Sequence, residues 1–395
     1  MPETRFGPYI VNELLGTGGM ATVHAAESQS AGGFRKRVAL KRLLPHLADE
    51  PEIVDSFARE ARLASYLHHQ HIAQTFDLGV IERTYYIAME LVPGPTLRQI
   101  LRQCDAEAGA IQIEHALDIL LQVAGALDYA HNLADDNGRP LGIVHRDVSP
   151  ANIIVSGAGI VKLIDFGLAK VSASRSTKVG ILKGKLSYMA PEYTLGRLDH
   201  RADLFALGVI AHEMLTGRPL FDAPRDHDII ALLREMPIQP PSRWRANVPH
   251  DVDDIVMTAL QRDPDRRWQS AAAFGAALQN VARELGLVSS PAALASWVEW
   301  AFSQEERRDV SGLTQVIDDL GDASDPRRRR AAPTPTPPPT SSSTAGAPRA
   351  LTDAKTNPVP VVARRRRRLA RVLLVLLVLA AGAAAAAYFA LPYLF

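Results

Sequence analysis

Apolar and polar residues alternate with a period of two through Tyr9–Leu15, Ala21–Glu27 and Arg37–Leu43, and a glycine turn, Gly16–Gly19, separates the first two. Such alternation predicts half-buried strands. From Glu52 to Leu67 the period becomes helical, with Ile53, Phe57, Ala61, Ala64 and Leu67 on one apolar stripe. Beyond Pro93 helical patterns dominate, most clearly over Ile113–His131 and Leu204–Leu215. A small sheet-rich lobe (9–92) followed by a larger helical lobe (93–282) predicts an α+β fold. The cleft between two lobes is a favoured place for a ligand.

The pattern changes again toward the C-terminus. Residues 283–320 read as a helical extension that either caps the large lobe or forms a docking surface; the spacing of Trp297 and Trp300 favours the cap, with both rings packed on the lobe. Residues 321–371 are rich in Pro, Ser, Thr and Arg and predict a disordered linker, because they hold too little apolar surface to fold. Val372–Leu391 carries no charge; as a helix it would be about 30 Å long, enough to span a bilayer core. Arg364–Arg368 and Arg371 precede it, which by the positive-inside rule places everything N-terminal in the cytoplasm. The expectation is a single-pass cell-membrane protein with almost nothing beyond the span. Met1–Pro8 shows no signal-peptide pattern.

Composition narrows the picture only a little. The chain has 395 residues, 47% hydrophobic and 22% charged, enough for a sizeable core. Its net charge of +1 hides two arginine blocks, 327–330 and 364–368, so no nucleic-acid partner is expected of the globular part. The single cysteine, Cys104, excludes an intramolecular disulfide framework and a cysteine zinc site.

The candidate chemistry lies at the strand ends. The Gly16-Thr17-Gly18-Gly19 turn offers free backbone N–H groups that can cover phosphates, although most such turns only make hairpins. Lys41 stands among apolar neighbours in Val38–Leu43, and a buried lysine needs a partner to stay charged. Glu60, on the apolar side of the 52–67 helix, offers one, unless both side chains reach out to water. Further on, Asp147, Asn152 and Asp165 flank the apolar runs Ile153–Val155 and Ile160–Ile164. Acid and amide oxygens near strand ends suit a hard cation, Mg²⁺ rather than a transition metal.

With these residues in order, the chain resembles eukaryotic-type Ser/Thr protein kinases, in particular the membrane-anchored bacterial ones, over about Tyr9–Ala282. The resemblance implies a two-lobed protein-kinase fold, ATP and Mg²⁺ as cofactors, and protein substrates. It implies that Leu15, Gly16, Thr17, Gly18, Gly19, Met20, Ala21, Thr22 and Val23 form the phosphate-covering loop, with Ala21 where the third glycine usually stands. Ala39, Met89, Glu90 and Val92 would surround adenine, Glu90 to Val92 being the hinge. Lys41 would hold the α- and β-phosphates with Glu60 as its partner, Asp147 would be the base, and Asn152 and Asp165 the Mg²⁺ ligands. Glu192 would pair with Arg267, and Asp203 would brace the catalytic-loop backbone.

Departures from the family pattern raise their own questions. Asp135–Leu141 is an extra turn with Asp136-Asn137-Gly138 as its turn chemistry. Ser149 replaces a lysine near the transferring phosphate, and Lys185 replaces a threonine expected beside it. An exchange of sides would make Lys185 a catalytic charge. The alternative, motivated by Ser149, is a pseudokinase that acts as a nucleotide-binding or scaffolding module. Ala151, where tyrosine kinases usually carry arginine, argues against that specificity. Autophosphorylation, including in trans within a homodimer, would place phosphate on Ser172, Ser174, Ser176 or Thr177, facing Arg146.

Overall fold

The computed structural model describes residues 4–29, 33–107, 110–166, 186–195 and 198–303, all within the first of two compact units, Met1–Asp325. The expected linker, the membrane span, Lys185 and the four candidate phosphorylation sites lie outside the described residues.

Six antiparallel strands form one sheet in the order β1-β2-β3-β4-β6-β5: β1 Thr4–Phe6, β2 Tyr9–Thr17, β3 Ala21–Gln29, β4 Arg35–Leu43, β5 Thr75–Ile81 and β6 Thr84–Glu90. Side chains alternate between its two faces. Val38, Leu40, Tyr86 and Ala88 enter one cluster with Phe6 and Tyr9. Ala39, Leu43, Ile87 and Met89 enter the other, against Phe57 and Ala61 of helix α1 (Pro51–Ala64). The observed helix ends about one turn before the predicted Leu67: Leu67 is buried, but it follows the C-cap at Ser65.

The large lobe is built on α2 (Leu97–Glu107), α3 (Ile113–His131), α4 (Arg201–Thr216), α5 (Asp226–Glu235), α6 (His250–Ala259) and α7 (Ala271–Leu285). Between α3 and α4 runs the short hairpin β7 (Ile153–Val155) and β8 (Val161–Leu163). Helix α4 is buried at nearly every position, which explains why its sequence is apolar all round rather than striped. A last helix, α8, covers 291–303. Of its two tryptophans Trp297 is buried and Trp300 is 48% exposed, so only the first meets the packing expectation.

The extra turn after α3 is a hairpin in which Ala134 bridges Pro140. Its side-chain chemistry comes from Asp135, one residue ahead of the expected position, whose Oδ1 accepts from Asn137 N and Arg139 N at 2.9 and 2.8 Å. Gly138 supplies the left-handed residue (φ 75°). Among the described residues no helix is long and apolar enough to cross a membrane.

Candidate active site

Lys41 lies on the α1-facing side of β4, opposite Val23 of β3 and Ile87 of β6. Only 8% exposed, it donates to Glu60 Oε1 at 2.8 Å and to Asp165 Oδ1 at 3.1 Å. Burial works against charge on Lys41, but Asp165 and Glu60 outweigh it and hold the ammonium's pKa above the usual lysine value. Burial raises the pKa of Glu60, with Asp165 adding to the rise and Lys41 opposing it.

The glycine turn closes through Gly18 N to Ala21 O at 2.8 Å. Gly16 and Thr17 end β2, Thr17 pairs with Thr22, and Leu15 is 47% exposed. Ala21 is buried against Ala39 and Phe57, so a methyl group fits where the resemblance expects glycine. Ala39 and Met89 are cross-strand partners, and Val92 is buried just beyond them. Glu90 N donates to Gln74 O at 2.8 Å, and its carboxylate accepts from Lys162 Nζ at 2.9 Å.

Asp203 of α4 orders the loop that carries Asp147. Its Oδ2 accepts from His145 N and its Oδ1 from Arg146 N, both at 2.8 Å, while His131 Nε2 lies 2.9 Å from Oδ2. Arg146 is thereby held at φ 65°, a strained conformation for a residue with a side chain; Asp165, at φ 55°, is another. Tyr193 caps the turn by donating to Arg146 O at 2.9 Å. His145 Nδ1 accepts from Asp147 N at 3.2 Å, so Nε2 carries the proton and donates to Ile164 O, also at 3.2 Å. One buried imidazole therefore spaces the Asp147 loop from the segment leading to Asp165.

Asn152 Nδ2 donates to Asp147 O at 2.8 Å and to Asp147 Oδ2 at 3.0 Å. This leaves the amide Oδ1 as an acceptor which, with the Asp165 carboxylate, makes an all-oxygen donor set that fits Mg²⁺. Ser149 Oγ is buried with no hydrogen-bond partner among the described residues, as is Arg146 Nε. A shallow cavity beside Asp147 is lined by Tyr188, Met189, Tyr193 and Ala206.

His131, Tyr193 and Lys162 were not singled out from the sequence. His131 is the last residue of a long amphipathic helix, and nothing in its neighbourhood marks a partner 72 positions away.

The comparisons fall on this geometry. Residues 9–278 match the protein kinase domain family, and the chain belongs to it. Within that family the chain is similar to bacterial serine/threonine-protein kinases. PknB of Mycolicibacterium smegmatis is 37% identical over 294 residues, covering 71% of this chain and 44% of its own. PrkC of Bacillus subtilis is 34% identical over 269 residues, 67% of this chain and 39% of its own. A relative of another stated specificity, the tyrosine-protein kinase MasK of Myxococcus xanthus, is 36% identical over 324 residues, 81% and 50%. The chain thus spans half or less of the length of these curated relatives. The crystal structure of the Mycobacterium tuberculosis PknI kinase domain superposes with a TM-score of 0.54 at 30% identity, over 71% of this chain and 98% of that one.

Proposed function

We propose that this chain is an ATP-dependent protein kinase that phosphorylates serine and threonine hydroxyls, its own included. The observation that carries the reading is the paired set Lys41–Glu60–Asp165 facing Asp147–Asn152. Lys41, kept charged by two carboxylates, would hold the α- and β-phosphates. Asp147, its Oδ2 fixed by Asn152, would take the proton of the acceptor hydroxyl as that oxygen attacks the γ-phosphorus. The bond from phosphorus to the bridging oxygen breaks, and ADP leaves with the electron pair. Mg²⁺ bound by Asn152 and Asp165 would neutralise phosphate charge in this step. An intact lysine clamp and base argue against the pseudokinase alternative.

Lys185 completes the proposal. Ser149 Oγ, buried and without a hydrogen-bond partner among the described residues, supports an exchange in which Ser149 takes the hydroxyl role and Lys185 brings positive charge to the transferring phosphoryl group. The uncharged run 372–391 behind an arginine block supports a single-pass anchor in the cell membrane with the kinase domain cytoplasmic. A homodimer is the simplest arrangement for phosphorylation in trans.

The test is incubation of the purified chain with labelled ATP and Mg²⁺ beside Asp147→Asn, followed by phosphoamino-acid analysis. Label on serine or threonine that vanishes in the variant supports the reading. Label on tyrosine alone would align the chain with the specificity in the name MasK, and equal labelling of Asp147→Asn would remove Asp147 as the base.

A further inference from the structure

The segment after α7 has no place in the reaction described so far, and it lies beyond the stretch that matches the family, 9–278. It is nevertheless built into the large lobe. Leu294, Trp297 and Val298 are buried in the main core cluster. Two buried polar side chains of the lobe hydrogen-bond to this segment and, among the described residues, to nothing else. Gln103 of α2, 8% exposed, donates Nε2 to Ala301 O at 3.2 Å. His115 of α3, 5% exposed, has its Nδ1 2.8 Å from Ser289 Oγ and its ring 5.3 Å from that of Trp297. Without 287–303 both groups would lose these partners.

Two glycines show what the segment presses on. Gly94 lies in the connection that follows Glu90, and a Cβ there would overlap the carbonyl of Val155 at the end of β7. Gly159 lies in the turn between β7 and β8, and a Cβ there would overlap the carbonyl of Pro291. The β7–β8 turn is thus held between two backbones, the 91–96 connection on one side and the start of α8 on the other. Val155 N donates to Pro95 O at 3.0 Å, Gly157 N to Pro93 O at 3.2 Å, and Thr96 bridges Ile154. The turn itself is stiffened by Gly159 N to Ser156 O at 2.8 Å and Ile160 N to Ser156 Oγ at 3.1 Å.

We infer that residues 287–303 are a positioning strap for nucleotide binding: by pressing on Gly159 and tethering α2 through Gln103, they fix the height of the 90–96 connection against which adenine would lie. The inference rests on the kinase reading for its ligand, but not for its geometry. A displaced strap lets the β7–β8 turn relax, the connection follows through Pro93 and Pro95, and adenine loses its registered backbone groups. Lys41, Asp147 and Asn152 are untouched, so the cost falls on nucleotide affinity rather than on turnover.

Gly159→Ala in the full chain tests this, with Gly138→Ala as its match. Both sites have left-handed backbone, φ 73° and 75°, so both variants carry similar strain; a Cβ at Gly138 meets nothing within 4 Å. The expected result for Gly159→Ala is a KM for ATP raised on the order of tenfold with kcat within about twofold, and faster amide exchange at both 289–303 and 91–96. Gly138→Ala, which carries the backbone strain without the clash, should lose less thermal stability and leave KM unchanged. Gln103→Ala, which leaves the backbone alone, should move KM in the same direction by a smaller factor. Equal KM values in Gly159→Ala and Gly138→Ala, or loosened exchange at 289–303 without any at 91–96, would reduce the strap to ordinary core packing and overturn the inference. Absence of phosphotransfer in the unmodified chain would instead count against the kinase reading, while the exchange measurement would still decide the strap.

Discussion

Arg267 grips both oxygens of Glu192, Nη1 to Oε1 at 2.6 Å and Nη2 to Oε2 at 2.7 Å, with its side chain fully buried. Its remaining donors are taken by the carbonyls of Gln261, Arg201 and Arg262, so no proton of the guanidinium needs water. Glu192→Gln leaves that cation uncompensated in the interior and should cost about 3–5 kcal/mol, lowering Tm by on the order of 10 °C. The paired replacement Arg267→Met with Glu192→Leu should cost less than Glu192→Gln alone, since it removes both desolvated charges. Thermal melts of the three proteins check this; a double variant less stable than the single would refute it.

Lys41→Met should reduce phosphotransfer by at least about 10²–10³-fold, the scale for losing a charge contact to the transferring group. Glu60→Gln should be milder, because Asp165 still faces the ammonium at 3.1 Å. Initial rates at saturating ATP separate the two, and equal losses would show that Glu60 matters as much as the lysine it holds.

Lys185→Ala should lower the rate on the order of tenfold to a thousandfold, and Ser149→Lys with Lys185→Thr should recover more activity than either single change. Wild-type turnover in Lys185→Ala would make the exchange accidental.

Phosphate in the 171–186 segment is expected on Thr177 or Ser176, opposite Arg146, whose buried Nε has no hydrogen-bond partner among the described residues. Mass spectrometry of active protein checks this. A fully active chain with no phosphate there would dismiss the control mechanism.

Stability should fall as pH drops below about 6.5. His212 is buried at 3% exposure, with Nε2 3.0 Å from Gln239 O, and burial depresses its pKa below the ordinary histidine value of 6.5. Burial likewise lowers His69, His71 and His115. For such groups the unfolded chain takes up protons first, so stability is fully present above the unfolded pKa and is lost as pH falls from there toward the folded values. Denaturant melts at pH 7.5 and 5.5 should show the drop, and His212→Gln should make it smaller.

Much of this architecture was legible because it is periodic. Ile113–His131 is the observed α3 to the residue, since its apolar positions repeat along the whole helix. Lys41 and Glu60 could be paired in advance because each is a charge on an apolar face. Trp300 was misjudged because spacing from Trp297 says nothing of where the lobe's surface ends. The extra turn lies where its sequence places it, but its side-chain chemistry comes from Asp135 rather than Asp136, because both residues have turn chemistry and only the geometry decides which oxygen meets the two amides. His131 and Tyr193 stayed hidden because their partners are set by tertiary approach, not by local pattern.

The Asp203 carboxylate has a consequence for how this protein would fail. It takes the amides of His145 and Arg146 from a helix that is buried along nearly its whole length. The loop before Asp147 therefore cannot open by local fraying, as surface loops do. Those two amides should exchange with solvent only through global unfolding, and the strain at Arg146, of order 1–3 kcal/mol, is borne by the whole large lobe. Substitutions deep in α4, far from any ligand, should then take the loop and the lobe down together, with phosphotransfer, exchange at those two amides and circular dichroism all changing in one transition.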